Sequence, residues 1–427
     1  MTWQNWGHTY SADPSQELAP ADVDQISEIV SATRKSGGTV KTVGAGHSFS
    51  AIAVPGDTLL RLTNLRGLIA VDGDRVTLRA GTHLHEIPAL LAPHGLAMTN
   101  LGDINKQTVA GATSTGTHGT GLNFGGISTQ ITGMELVDGA GEQRSITDES
   151  ELQAAALGLG ALGVITAITL QCVPAFSIEA VEGPARIDEV LADFTRSVHQ
   201  TDHFEFYWFP HTDAALTKHN RRIAGLTTAS GPSPLRRYID DELLSNKVFG
   251  ALCRLGAAAP AVVPLVNKIS GNVLSGRRIV DSSASVFTSD RNVRFREMEY
   301  AVPLDRLPEA FNGVRKVITD KGYRVSFPIE VRVAAADDLM LSTASGRQSG
   351  YIAVHRYLRD QPDDYFRDVE AVMTGLGGRP HWGKMHTREA GYLRTVYPRF
   401  DEFLSVRDRF DPDRVFANDY LRQVLGD

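Results

Sequence analysis

Residues 108–121 read T-V-A-G-A-T-S-T-G-T-H-G-T-G, small or hydroxylated apart from Val109 and His118. Side chains this small let a ligand lie on the main chain, where free N–H groups and hydroxyls can donate to an anion such as a pyrophosphate. A flexible linker shares this composition, but Val109, Ala110 and Ala112 break the polarity and apolar segments flank the run. A second candidate cradle, Gly44-Ala45-Gly46-His47-Ser48-Phe49, follows a predicted strand at 39–43. It lacks the third glycine and the following helix of a dinucleotide fingerprint. Glu330 and Arg332 stand two apart in a predicted strand and so face one side of it. If that side is buried, each needs the other; an exposed cross-strand ion pair is the plainer alternative. Lys384 follows His381 and Trp382, and His355 sits inside the apolar run A-V-H-R-Y. A core histidine is the default reading there, with general base as the functional one. His83 and His85 invite a metal reading, but no third ligand lies nearby and no metal site is expected.

The elements that must carry these residues follow from periodicity. Apolar positions recur at helical spacing over 20–38, closed by Gly37-Gly38. Strands are expected at 57–62 and in a hairpin over 68–79 that turns at Asp72-Gly73-Asp74. A short helix is expected at 84–95, a strand at 131–137, and a helix at 148–157 capped by Asp148. The glycine-rich run 158–165 leads into a β-branched strand ending at Pro174; it reads equally as a close approach to a ligand or as a bend before a buried strand. Beyond about residue 175 the pattern changes. Strands are expected at 204–209, 293–302, 328–334 and 350–357, helices at 304–321 and 363–376, and a loop at 221–237. This predicts an antiparallel sheet with helices on one face.

The chain has 427 residues, 42% hydrophobic and 22% charged, with a formal charge of −7. That length favours two domains, and the negative balance argues against nucleic acid as a partner. Cys172 and Cys253 give neither a disulfide framework nor metal spacing, which fits a reducing, cytoplasmic setting. No signal peptide is evident at the start. The most apolar stretch, 249–266, carries Arg254, Pro260 and Pro264 and reads as a buried or lid helix, not a membrane span.

Several of these motifs carry a resemblance. V-G-A-G-H-S-F (43–49), the 108–121 run and L-G-A-L-G-V-I-T (159–166) resemble the FAD domain of the vanillyl-alcohol-oxidase superfamily. F-P-I-E-V-R (327–332), G-R-P-H-W-G-K (378–384) and F-D-P-D-R-V-F-A-N-D-Y (410–420) resemble its sugar-1,4-lactone and alditol oxidoreductases. D-H-F-E-F-Y-W-F-P (202–210) and V-R-F-R-E-M-E-Y-A-V-P (293–303) fit the L-gulono-1,4-lactone dehydrogenase and D-arabinono-1,4-lactone oxidase group.

The resemblance implies an α+β fold. A two-subdomain PCMH-type FAD-binding domain (1–175) would be joined to a substrate or cap domain (176–427) with a largely antiparallel sheet covered by helices. The tail, about 410–427, would return toward the flavin. It implies FAD contacts from Gly44, Ala45, Gly46 and Ser48, and from Thr108, Gly111, Thr115, Gly116 and His118. Val164 and Ile165 would lie at the adenosine end, and Asp103 would order the loop before the cradle. His47 would bond covalently to the flavin 8α-methyl carbon, the alternative being a hydrogen bond near the cofactor. Glu330 and Arg332 would hold the substrate, Lys384 would sit by flavin N1 and C2=O, and His355 would lie near the substrate. The implied reaction is hydride transfer from a sugar lactone to flavin N5, with electrons passed to oxygen or another acceptor. A polyol substrate is the alternative; a bulky Tyr357 at the site would favour the flat lactone.

Overall fold

Four strands with alternating residue types decide the architecture. The computed structural model describes residues 2–231, 248–273, 275–289 and 292–426. In it His203–Trp208, Ile329–Ala334, Ser349–Tyr357 and Phe295–Pro303 lie side by side at the centre of an eight-stranded sheet. Phe176–Arg186, Ala214–Ala224 and Arg277–Ser282 extend one edge, and Arg379–Pro380 forms the other. Every pairing in this sheet is antiparallel.

Successive side chains leave a strand on opposite faces. Phe204, Phe206, Ile329, Val331, Ile352 and Met298 turn to one face, where they share a core with Phe194, Phe311, Val314 and Val369 of the helices Ile187–Gln200, Leu307–Lys321 and Tyr365–Gly375. Each such side chain stabilises by roughly 1.5–3 kcal/mol when fully buried. The residues between them, Glu205, Tyr207, Glu330, Arg332, Glu297, Glu299 and His355, therefore leave the opposite face. A one-residue slip would drive these charges into the helix-covered core, so the register is fixed.

The first half of the chain builds two smaller sheets. Gln143–Ile146, Ile131–Val137, Val164–Gln171, Arg75–Arg79 and Leu68–Asp72 form an antiparallel one. Gln16–Leu18, Thr58–Leu60 and Val40–Thr42 form a parallel one. Helix Val23–Lys35 buries Ile26 and Val30, and Asp22 caps it by accepting from the Gln25 N–H. The 108–121 run contains a helix, Val109–Ser114, that its glycines and threonines did not announce; Thr108 Oγ1 caps it through the Gly111 N–H. Seven residues further on, the Gly121 N–H donates to the Val333 carbonyl at 2.9 Å. The cradle is thus stitched directly onto the Glu330–Arg332 strand.

Three expectations are corrected. The loop expected at 221–237 begins as strand: Ala214–Ala224 pairs with Phe176–Arg186 along its whole length, and this tertiary pairing overrides a polar local sequence. Residues 232–237 lie outside the described set. The helix expected at 84–95 starts later, at Ile87, and divides into Ile87–Leu91 and Ala92–His94. The run 249–266 is two helices, Phe249–Ala258 and Val263–Val273, broken where Ala259 turns extended ahead of Pro260. Among the described residues no helix is long and apolar enough to cross a membrane.

The end of the chain packs back on the beginning. Helices Phe400–Phe410 and Asp419–Leu425 enter the core built by residues 26–172. Val40 N–H donates to the Val415 carbonyl at 2.8 Å. Asn418 caps the last helix through the Leu421 N–H, and its Nδ2 lies 2.9–3.2 Å from the carbonyls of Ala51, Ile52 and Val54, just past the His47 turn. Replacing Asn418 with Ala removes the cap and leaves those carbonyls short of a donor. The expected loss is about 2–4 kcal/mol, read as a lower urea midpoint at unchanged slope.

Candidate active site

The charged face of the large sheet forms the floor of a cavity of about 390 Å³. Tyr207, Glu297, Glu299, Glu330, Arg332 and His355 rise from the sheet. His47, Ser48, Asp103, Thr115 and His118 reach it from the first half of the chain, and His381, Gly383 and Lys384 from the turn after Arg379–Pro380. Trp6, Phe49, Phe295 and Phe327 supply aromatic wall; Phe49 stacks on Phe295 at 5.4 Å, and Trp6 on His47 at the same distance.

Neutralisation organises the floor. Arg332 pairs with Glu330, and its Nε donates to Glu205 Oε2 at 2.9 Å. Tyr207 Oη lies 3.1 Å from a carboxylate oxygen of each glutamate. Lys384 pairs with Glu297, whose other oxygen is 3.6 Å from His355 Nε2. Burial opposes ionisation of Glu297, yet the Lys384 ammonium and then His355 hold its carboxyl down at about 2. Burial likewise opposes ionisation of Glu299 and Glu205. The first is held well below the usual range chiefly by His118, the second by Lys218 and Arg332. Burial also raises Tyr207 well above the ordinary phenol value, with the two glutamates adding to it, so it stays a donor. Lys384 is thus not an isolated ammonium; it also lies 5.3 Å above the Phe49 ring.

His47 is held down at about 4, first by burial and then by Lys384 and Lys106, so its ring is neutral at pH 7. His355 Nδ1 is 3.2 Å from the Pro328 carbonyl. Its Nε2 faces Glu297 Oε1 at 3.6 Å, so both ring nitrogens meet acceptors. The liganding atoms of His118, Glu299 and His381 lie within 4.8 Å of one another. His381 Nδ1, however, accepts the Gly383 N–H at 3.0 Å. A neutral ring that accepts there carries its proton on Nε2 and offers no lone pair to a metal. The trio is a hydrogen-bonded cluster, with His118 Nδ1 on the Gly119 carbonyl at 2.9 Å and Nε2 at 3.4 Å from Glu299.

A Cβ on Gly44 would come 2.5 Å from Thr108 Oγ1, so the two glycine-rich turns touch. Gly46, at φ +70°, holds a left-handed conformation that favours glycine. The backbone N–H groups of Gly44, Ala45, Gly46, His47 and Ser48 donate to no acceptor among the described residues. Thr108 and Gly111 open the cradle helix, and Gly116 closes it against Leu157. Val164 and Ile165 begin a strand of the five-stranded sheet beside Val137 and do not line the cavity. Asp103 accepts from both the Ser289 N–H and its hydroxyl, joining the loop before the cradle to the far half of the chain. Tyr357 is corrected: it packs with Cys253 and Phe327 and is not on the cavity wall.

Glu205, Lys218, Glu297, Glu299 and Tyr207 escaped the sequence reading. F-E-F-Y-W-F read simply as an aromatic strand, and the charges of R-F-R-E-M-E-Y read as its solvent half. The available signal was that acids alternated with large apolar residues in both strands, Glu205 between Phe204 and Phe206 and Glu299 between Met298 and Tyr300.

A row of unsatisfied main-chain donors at a touching pair of glycine turns, opening beside a neutral histidine and an aromatic wall, fits a flat dinucleotide cofactor with a diphosphate. The fold and this donor set define a flavoprotein oxidoreductase. Residues 14–147 match an FAD binding domain, and residues 168–424 match the D-arabinono-1,4-lactone oxidase family. The chain belongs to that FAD-dependent family. It is 39% identical over 426 residues to L-gulono-1,4-lactone dehydrogenase of Mycobacterium tuberculosis, covering 99% of each. It is 33% identical over 439 residues to L-gulonolactone oxidase of Scyliorhinus torazame, covering 99% of this chain and 98% of the relative. Cholesterol oxidase from B. sterolicum superposes with a TM-score of 0.82 at 17% identity, covering 99% and 96% of the two chains, a likeness of fold alone.

Buried neutral imidazoles make folding pH-dependent. Burial holds His47, His203 and His386 at about 4 and His381 at about 3. Unfolded histidines bind protons near 6.5, so below that pH the unfolded chain takes up more protons than the folded one. Stability therefore falls as pH drops from 6.5 to 4. Urea midpoints measured across this window are expected to decline steadily, and His381→Phe flattens the slope.

Proposed function

We propose that this chain oxidises a sugar 1,4-lactone of the L-gulono- or D-arabinono-1,4-lactone type. The observation that carries the reading is the Glu330–Arg332 pair on the floor of the cavity that His47 and Lys384 also line. The family match and the relatives' names favour a lactone over a polyol.

FAD, when bound, would supply the two-electron acceptor for oxidation of the carbon that bears the hydroxyl. Gly44, Ala45, Gly46 and Ser48, with Thr108, Gly111, Thr115, Gly116 and His118, would hold its diphosphate and ring through main-chain and hydroxyl donors. Val164 and Ile165 serve the adenosine end. Asp103 orders the loop between cradle and floor. Arg332 donates to the lactone oxygens and Glu330 accepts from the hydroxyl to be oxidised, which orients the carbon it sits on. His355, which lines the cavity with Nε2 3.6 Å from Glu297, is the residue to take the hydroxyl proton. Lys384 contributes fixed positive charge where negative charge develops, and Glu297 keeps its stem in place. The final acceptor would be oxygen or another oxidant, since both oxidase and dehydrogenase names occur among the relatives.

Steady-state assays with both lactones and with xylitol, each under oxygen and with a dye acceptor, test the substrate class. Turnover of the polyol but not the lactones overturns it. Arg332→Ala is expected to keep the flavin spectrum and to lose about 10²–10³-fold in kcat/KM with lactone; a near-normal value removes its role.

His47 is the residue for a covalent tether to the cofactor, its neutral ring nitrogen being the nucleophile such a bond requires. Acid-precipitated protein is expected to stay yellow, and His47→Ala to release all flavin to the supernatant. Release from the unaltered protein leaves His47 as a hydrogen-bonding residue only.

A further inference from the structure

Glu205 and Lys218 do not line the cavity, yet Glu205 is bound to Arg332 and Tyr207, which do, and Lys218 is bound to Glu205. Lys218 stands directly opposite Glu205 in the neighbouring strand, with Nζ 3.0 Å from Oε1. The other oxygen of Glu205 takes the Arg332 Nε–H at 2.9 Å. Arg332 is thereby held from two sides, by Glu205 and by Glu330, which fixes the plane of its guanidinium. Tyr207 Oη spans the two glutamates at 3.1 Å each, and a phenol has one proton to give, so their positions are interdependent. The five groups form one connected set: two carboxylates, two cations and one neutral phenol.

We propose that Glu205 and Lys218 are positioning residues for lactone oxidation. Glu205 sets the plane in which Arg332 meets the substrate, and Lys218 supplies the second positive charge that lets both glutamates stay ionised side by side. The inference rests on Arg332 being the substrate-binding guanidinium. A carboxylate behind the guanidinium is needed because Glu330 alone leaves Arg332 free to swing about its own ion pair. A lysine is needed because two buried carboxylates sharing one guanidinium would favour taking up a proton. Other charges nearby are accounted for. Glu182 of Phe176–Arg186 is 3.9 Å from Lys218 Nζ but is held by Arg277 through two contacts at 2.6 and 3.1 Å. Asp103 acts on both Lys218 and Arg332.

The test uses the flavin-loaded protein with L-gulono-1,4-lactone and a dye acceptor, comparing wild type, Arg332→Ala, Glu205→Gln, Glu205→Asp, Lys218→Met and the Glu205→Gln/Lys218→Met double variant. Glu205→Gln is expected to keep the flavin spectrum and lose about 10- to 100-fold in kcat/KM, mostly through KM, since a misplacement of about 1 Å costs this much. Glu205→Asp restores part of it. Lys218→Met raises the acid limb of the kcat/KM profile by about one pH unit, since one of two carboxylates sharing a single cation becomes easier to protonate. The double variant keeps one carboxylate and one guanidinium in balance, so its acid limb returns to the wild-type position.

A kcat/KM for Glu205→Gln within twofold of wild type and an unmoved acid limb for Lys218→Met, with Arg332→Ala inactive, overturn the positioning role and leave the proposed function standing. A wild type that turns over no lactone overturns the reading beneath it. Loss of flavin absorbance in step with activity shows a merely structural role and also overturns the proposal. If Glu205→Gln does not fold, Lys218→Met carries the test: an unmoved acid limb refutes the pair.

Discussion

Charge buried on one face of a sheet must be neutralised in place, and the rest of this molecule is arranged around that requirement. Removing one partner of a buried pair costs about 3–5 kcal/mol, so the acids of the large sheet are not independent ornaments. Glu330 and Glu205 share Arg332; Glu205 also has Lys218, and Glu297 has Lys384. The helices on the far face make this tolerable. They seal the apolar half of the same strands so tightly that the pleat has one permitted register. The polar half is then delivered to a single cavity without any loop having to find it.

The two halves of the chain meet at that cavity through main-chain hydrogen bonds. Gly121 is bonded to Val333, next to Arg332. Phe49 N–H donates to the Gly383 carbonyl at 2.6 Å, and Ser50 Oγ to the Trp382 carbonyl at 2.7 Å. The turn that carries His47 and the turn that carries Lys384 are therefore clasped to each other. Asn418 and Tyr420 extend the same clasp, the first to residues 51–54 and the second, through its hydroxyl, to the Trp382 carbonyl. A ligand between the halves meets a frame whose geometry is set before it arrives, which is what orientation at a reacting carbon requires.

Much of this was legible in advance, and the misses share a cause. Local patterns marked the hairpin at Gly73, the Asp148 cap and the strand that carries Glu330 and Arg332, because each depends on neighbours within a few residues. The helix inside 108–121 was hidden because its stability comes from the Thr108 cap and packing of Val109 and Ala112, not from propensity. Arg221 looked like loop because the strand it belongs to is held by its partner across the sheet. Glu297 and Glu299 looked solvated because an alternating strand ordinarily puts its charges in water.

The sequence by itself determined the chemistry available: glycine turns that bare the main chain, a histidine in one of them, and an acid and a guanidinium on a common side of a strand. Motif order along the chain was enough for the family. Only the tertiary structure decided which counter-charge each buried group has. Lys218 and Glu205 are 13 positions apart, Glu297 and Lys384 are 87, and Glu205 and Arg332 are 127. Sequence spacing encodes the direction of a side chain along its own strand. It carries no record of the strand that will lie alongside, and electrostatic partnership depends on distance through space.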